Sequence, residues 1–278
     1  MTRLVVVSGK GGVGKSAVSA ATALHHHRQG ANVLALSMVG TGGGLATHTG
    51  AGALSFEPVE VFPGLHALTI DRSRALIEYL RVQVGLPPFA ALPPVIRAFD
   101  ALAATAPAVR EIVTIGKVLW EVKRDHWDVV VADGPPTGQI GSFLRAPTSI
   151  SELVTGGRVA DQASWMSDML TSERTLLRLV TLPEELPMSE NQETLGWLAA
   201  NPVVSHVEVV ANRVLPLLVL DKVPGGRVGD AARLQLELQS EQVAWLDRHP
   251  PDRTLPFLFG VASSEAVASH LADEMDNW

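Results

Sequence analysis

Residues 9–16 of the chain read Gly-Lys-Gly-Gly-Val-Gly-Lys-Ser and directly follow the apolar run Leu4-Val5-Val6-Val7. Gly9, Gly14, Lys15 and Ser16 meet the spacing G-x-x-x-x-G-K-[ST], in which a glycine-rich turn between a strand and a helix cradles phosphates with its backbone N–H groups. The strand and the helix that the motif needs on either side are both readable. Bulky side chains in the turn would hold the anion away. Lys15 offers a cation to β- and γ-phosphate oxygens, and Ser16 offers a hydroxyl to Mg²⁺, which takes oxygen ligands. A helix running from Ala17 to Gln29 adds its positive N-terminal end. At average residue usage the bare pattern turns up in on the order of one per cent of chains this long. Its place after the first strand lowers that figure further.

Strand-like runs at 3–8, 32–37, 65–70, 127–132, 206–211 and 254–258 alternate with helical stretches. This alternation predicts an α/β fold with a mainly parallel sheet covered by helices on both faces, and the loop at 9–16 makes it a P-loop NTPase sheet. The 278 residues can bury a large core, show no internal repeat, and read as one domain over 1–278. Two stretches, about 72–124 and 148–185, stand outside the alternation and read as a helical subdomain. The first holds Arg74 to Val84, a turn rich in proline (Pro87, Pro88, Pro93, Pro94), then Val95 to Ala104 and Pro107 to Arg124. In the second, Trp165, Met166, Met169, Leu170, Leu176, Leu177 and Val180 form a helical apolar stripe, read as core or dimer interface. Asp71 stands where a helix N-cap is expected. His25, His26 and His27 are adjacent, so on a helix they point about 100° apart and do not converge on one ion; they read as a solvated face.

Lys10 is not required by the general motif. With it, residues 10–16 read K-G-G-V-G-K-S, which resembles the deviant Walker A of the family that holds the arsenite-pump ATPases, the tail-anchored-protein-targeting ATPases, the Min and Par ATPases and the nitrogenase iron protein. In that family the first lysine reaches the partner's nucleotide, so the resemblance implies a sandwich dimer, either a homodimer or a heterodimer with a paralogous ATPase. The run Val129-Val130-Val131-Ala132-Asp133, the segment Gly134-Pro135-Pro136-Thr137-Gly138-Gln139 and Phe143-Leu144-Arg145-Ala146-Pro147 resemble switch II of the arsenite-pump and tail-anchored-targeting branch. Residues 106–113 are similar to its A-P-G-x-x-E pattern, 181–190 to its P-E-x-x-P-x-x-E stretch, and 209–216 to its V-V-x-N-x-V-x-P strand end. The resemblance implies ATP and Mg²⁺ as cofactors. It implies Lys10, Lys15 and Asp133 as catalytic residues and Ser16 and Asp133 at the metal. Nucleotide binding falls to Gly9, Gly11, Gly12, Val13, Gly14, Lys15, Ser16, Ala17 and Asn212. Asn212 would read the adenine edge with the donor and acceptor of its amide. A hydrophobic client is implied by the targeting branch, whose helical subdomain forms a methionine-rich groove; here only Met166, Met169 and Met188 stand near that part.

The chain departs from the family at switch I, where an aspartate positions the attacking water. Val39 stands at that place, and no carboxylate occurs between residue 37 and Glu57. A valine supplies no general base, a contribution of about 10²–10⁴-fold, although positioning and electrostatics still support slow phosphoryl transfer. The expectation is therefore a chain that binds Mg²⁺·ATP well and hydrolyses it weakly alone, with Thr41 or His48 as candidate substitutes. The alternative is a non-catalytic regulatory or assembly subunit that pairs with an intact paralogue.

Composition narrows the partners. A net charge of −7 without basic clusters argues against nucleic acid. With no cysteine, the chain lacks the thiols that bind arsenite in the pumps, a zinc clamp and iron–sulfur ligands. No run reaches the roughly 20 apolar residues of a membrane span, and Met1 to Val7 is too short for a secretory signal, so a cytosolic location without membrane insertion is expected. The segment Ser264 to Trp278 is acidic with few apolar anchors, unlike a basic membrane-binding helix.

Overall fold

Strand β1 (Arg3–Gly9) is apolar from Leu4 to Val7 because both of its faces are covered. Leu4 and Val6 enter one core while Val5 and Val7 enter another, the period-two alternation of a strand buried on both sides. The structure, a computed structural model, describes residues 1–84, 107–153, 156–220 and 225–278. Further strands are β2 (Val33–Ser37), β3 (Val59–Phe62), β4 (Leu65–Thr69), β5 (Val129–Asp133), β6 (Thr175–Thr181), β7 (His206–Val214) and β8 (Arg253–Pro256). They form one eight-stranded sheet in the order β3-β4-β2-β5-β1-β6-β7-β8. Every pairing is parallel except that of β3 with β4. The α/β fold with a mainly parallel sheet is therefore observed.

Among the described residues the helices are α1 (Lys15–Arg28), α2 (Gly43–Thr49), α3 (Arg72–Val84), α4 (Pro107–Lys123), α5 (Thr137–Leu153), α6 (Arg158–Leu170), α7 (Glu185–Ala200), α8 (Gly226–Arg248) and α9 (Ser264–Met275). On one face of the sheet α1, α2 and α9 bury Val18, Ala20, Leu45, Leu271 and Met275. On the other, α4 to α7 bury Ile115, Leu119, Ile140, Leu144, Met166 and Leu198. Asp71 caps α3, its Oδ1 accepting the Arg74 N–H at 2.8 Å. The proline-rich turn at 87–94, the segment Val95 to Ala104 and Ala106 lie outside the described residues.

Three expectations are corrected. The stripe across 165–180 is not one helix: Trp165, Met166, Met169 and Leu170 belong to α6, whereas Leu176, Leu177 and Val180 lie in β6, a strand beside β1. The part of 148–185 from Thr175 to Thr181 thus belongs to the sheet. Arg178 lies in this strand and is 7 % exposed, bonded to Glu208 Oε2 and to Thr22 Oγ1, both at 2.6 Å. The C-terminal segment is better anchored than its acidity suggests. Ala268, Leu271, Ala272 and Met275 fall at i, i+3, i+4 and i+7 and pack with α1.

The three histidines diverge as expected, yet they are half-buried rather than solvated. His25 Nδ1 lies 2.8 Å from Asp276 Oδ1, and His27 stacks on Phe62. Burial, with the charges of His25, Arg178 and Arg3, pushes His26 down to about 4. Among the described residues no helix is long and apolar enough to cross a membrane.

Placing 175–181 inside the sheet has a measurable consequence. Leu179→Ala, at a fully buried position, is expected to cost about 2–5 kcal/mol in urea unfolding, while Leu186→Ala, at a position 65 % exposed, stays within about 0.5 kcal/mol. Equal effects of the two substitutions contradict the strand placement.

Candidate functional site

Parallel pairing carries the C-terminal ends of the central strands to one edge of the sheet. Val7 and Ser37 both pair with Asp133, Gly9 pairs with Val180, and Thr181 pairs with Ala211. The loop after β1, the carboxylate ending β5, the segment after β2 and Asn212 near the end of β7 therefore meet. In open α/β sheets this edge, where neighbouring connections leave in opposite directions, is where ligands bind.

The loop at 9–16 leads straight into α1, with Gly14 in the left-handed conformation at φ 93° as N-cap. A Cβ on Gly14 would lie 2.5 Å from Asn212 Nδ2, so this position admits no side chain without displacing Asn212. That same amide is 3 % exposed and supports the loop: Nδ2 donates to the Val13 carbonyl and Oδ1 accepts the Arg213 N–H, each at 2.9 Å. Arg213 has φ 56°, uncommon for a residue with a side chain, and the Asn212 bond helps hold it.

Ser16 Oγ donates to Asp133 Oδ2 at 2.7 Å and Ser19 Oγ to Oδ1 at 3.2 Å. Burial pushes the Asp133 carboxyl above the usual carboxylate range, against the opposing pull of the two hydroxyls and of the Lys15 and His48 charges. Burial likewise lowers Lys15, and the Asp133 charge opposes that shift. Lys15 Nζ donates to the Lys10 carbonyl at 3.1 Å, inside its own loop. The hydroxyl of Ser16 and the carboxylate of Asp133 form an oxygen donor pair of the kind that suits Mg²⁺.

Lys10 Nζ lies 2.5 Å from Glu190 Oε1, and Thr137 Oγ1 donates to Glu190 Oε2 at 3.4 Å. One carboxylate on α7 thus touches both the phosphate loop and the start of α5. Ser8 Oγ ties the end of β1 to the Pro135 carbonyl at 2.7 Å. The segment after β2 also closes on the loop, since a Cβ on Gly44 would stand 2.7 Å from Ser16 Oγ. Val39 packs partly buried against the core, and its carbonyl accepts the Ser37 hydroxyl at 2.9 Å. His48 Nδ1 lies 2.8 Å from the Gly44 carbonyl, which leaves Nε2 as an acceptor when Nδ1 carries the proton.

Of the residues singled out in the sequence, the loop, Lys15, Ser16, Asp133 and Asn212 come together, and Lys10 turns toward Glu190. Sequence reading passed over Ser19 as a site residue, although it stands three positions after Ser16 and so on the same helix face. Glu190 was legible only as part of a motif; its contact with Lys10 spans 180 residues.

A family model described as anion-transporting ATPase matches residues 2–171. The chain belongs to this family. Among its relatives, ATPase BagA of Mycobacterium tuberculosis is 33 % identical over 227 residues, covering 77 % of this chain and 66 % of the relative. ATPase get3 of Pyrenophora tritici-repentis is 27 % identical over 61 % of this chain and 50 % of its own length. A putative arsenical pump-driving ATPase of Halobacterium salinarum is 27 % identical over 77 % of this chain and 36 % of its own. The match thus spans just under two thirds of the mycobacterial relative and half or less of the other two.

The raised carboxyl predicts a pH effect. A carboxyl whose pKa is higher in the folded than in the unfolded chain holds more protons when folded, so it lowers stability as pH rises from about 4 through its folded value. Asp133→Asn, which the serine hydroxyls can turn to suit, is expected to raise the unfolding temperature at pH 7–8, and the gain shrinks as pH falls toward 4. Melting curves across that range check it, and a lower unfolding temperature for the variant at pH 7–8 contradicts it.

Proposed function

We propose that the chain is a cytosolic Mg²⁺·ATP-binding switch protein that works as a dimer and hydrolyses ATP weakly by itself. The observation that carries this reading is the 2.7 Å contact between Ser16 and Asp133 beside Lys15, at the edge where the phosphate loop opens. The backbone N–H groups of Gly11 to Ser16 and the start of α1 would hold the phosphates. Lys15 would leave the Lys10 carbonyl for β- and γ-phosphate oxygens, and Ser16 with Asp133 would hold Mg²⁺. When bound, that ion neutralises charge on the β- and γ-phosphates. Asn212 keeps one N–H and acceptor capacity for an adenine edge while it supports Val13.

Lys10 is the residue assigned to the partner's nucleotide. In the single chain it is neutralised by Glu190, so reaching a second nucleotide would cost that ion pair and release the carboxylate that also touches Thr137. This links the state of the dimer to α5. The partner is a second copy or a paralogous ATPase, and a hydrophobic client would engage the part read at about 72–124 and 148–185, of which α3, α4, α6 and the end of α5 lie among the described residues.

The reading of a non-catalytic assembly subunit is favoured by one observation, the lack of a carboxylate between residue 37 and Glu57. Turnover separates the two. The purified chain alone is expected to hydrolyse ATP slowly, and a paralogue with an intact switch I aspartate accelerates the mixture in a manner lost with Lys10→Ala. Lys15→Ala is expected to weaken ATP binding by about 10–100-fold, the worth of a hydrogen bond from a charged group. Rapid turnover by the lone chain, abolished by Lys15→Ala, contradicts the weak-hydrolase reading; a mixture unaffected by Lys10→Ala contradicts its role across the dimer.

A further inference from the structure

Of the 23 residues of α8, Gly229 alone is buried. Polar bonds tie the helix to the molecule instead: Gln242 Oε1 accepts the Leu215 N–H and Gln239 Oε1 the Leu218 N–H, each at 2.8 Å, and Gln242 Nε2 donates to the Arg213 carbonyl at 3.3 Å. A helix in a folded protein draws most of its stability from an apolar face packed on a neighbour. In α8 much of such a face lies open. Ala231, Leu234, Leu238 and Trp245 fall at i, i+3, i+7 and i+14, the a and d positions of a heptad, with Leu234 57 % and Leu238 45 % exposed. Leu217 and Phe259, both exposed, line one groove with Ala231 and extend the same surface. A contiguous exposed apolar surface rimmed by charge marks an interaction site.

The charges along the helix decide what this surface fits. Arg227, Asp230 and Arg233 leave the N-terminal half with a net charge of +1, while Glu237, Glu241, Asp247 and Arg248 leave the C-terminal half at −2. Arg233 is already paired with Asp230 at 2.9 Å, so Arg227 is the cation that the N-terminal half offers. A parallel copy of the helix would set like halves together. An antiparallel copy, related by a two-fold axis, sets each half against its opposite at both ends of the contact. It also brings a positions against d positions: Leu234 meets the partner's Leu238, and Arg227 lies one turn from the partner's Glu241. Both apolar and charged residues are then matched by the same helix in reverse.

We propose that α8 pairs antiparallel with α8 of a second copy of this chain. The contact is separate from the reach of Lys10 toward a second nucleotide. It is tested without nucleotide or Mg²⁺, so its failure leaves the nucleotide reading untouched. Sedimentation equilibrium of the full chain is expected to show a reversible dimer at chain concentrations up to about 100 µM. Leu238→Glu puts two charges into the central layers and abolishes the dimer, with the circular dichroism of the fold retained because the position is exposed in the single chain. Arg227→Glu sets acid against acid at both ends, and Glu241→Arg sets cation against cation. Each variant alone is expected to dimerise about tenfold or more weakly. An equimolar mixture of the two recovers the parent affinity, since each end then joins opposite charges.

The register is read separately. The chain holds no cysteine, so a single introduced thiol reports only on its own position. Leu234→Cys mixed with Leu238→Cys is expected to form the mixed disulfide faster than either variant forms a disulfide with itself. A chain that stays monomeric at that concentration, a dimer unaffected by Leu238→Glu, charge-reversed variants that do not rescue each other, or cross-linking that favours like positions would overturn the proposal.

Discussion

Because β1 pairs in parallel with β5 on one side and with β6 on the other, the loop that follows it opens between two strands whose carboxyl ends point the same way. Everything assembled at the site follows from that register. Val7 opposite Asp133 puts the β5 carboxylate beside the first turn of α1, where Ser16 and Ser19 reach it from one helix face. Ser37 opposite Asp133 brings the next connection to the same edge, and Gly44 closes on Ser16. A one-residue slip of β1 would send Val5 and Val7 to the wrong core and Asp133 away from the loop.

The charges at this edge are buried or paired with one another. Asp133 is held uncomfortably by burial, Lys15 is partly desolvated, and Lys10 is neutralised by Glu190 outside the loop. A phosphate with a divalent cation would relieve the first two at once, giving the cation to Asp133 and the anion to Lys15. What the arrangement lacks is a carboxylate on the segment after β2, where Val39 packs into the core and contributes only its carbonyl to Ser37. On the proposed reading this separates binding from hydrolysis, since Ser16, Lys15 and Asp133 meet at the edge while the segment after β2 carries no carboxylate.

The parts of this protein that could be read from sequence are those whose signal is local. The phosphate loop has fixed spacing, the apolar runs of β1, β2 and β5 need no partner to be recognised, and Asp71 announces the start of α3. The parts missed depend on distant partners. Arg178 makes β6 look amphipathic until Glu208 and Thr22, 30 and 156 residues away in sequence, neutralise and bond it. Strand β3 has four residues, half of them exposed, and is too short to carry a pattern. In α9, two of the four buried positions are alanine, so the face that packs on α1 carries little hydrophobic signal. Within the site, the contacts of Ser19 and Glu190 are invisible for the same reason, since each spans more than a hundred residues.

The central claim, that the site is built to bind Mg²⁺·ATP whatever its rate of hydrolysis, is tested most directly by equilibrium titration of the chain with a non-hydrolysable ATP analogue in the presence and absence of Mg²⁺. The account predicts saturable binding of one nucleotide per chain that tightens when Mg²⁺ is added, because Ser16 and Asp133 then have a cation to share. No binding at millimolar nucleotide, or binding indifferent to Mg²⁺, would contradict it.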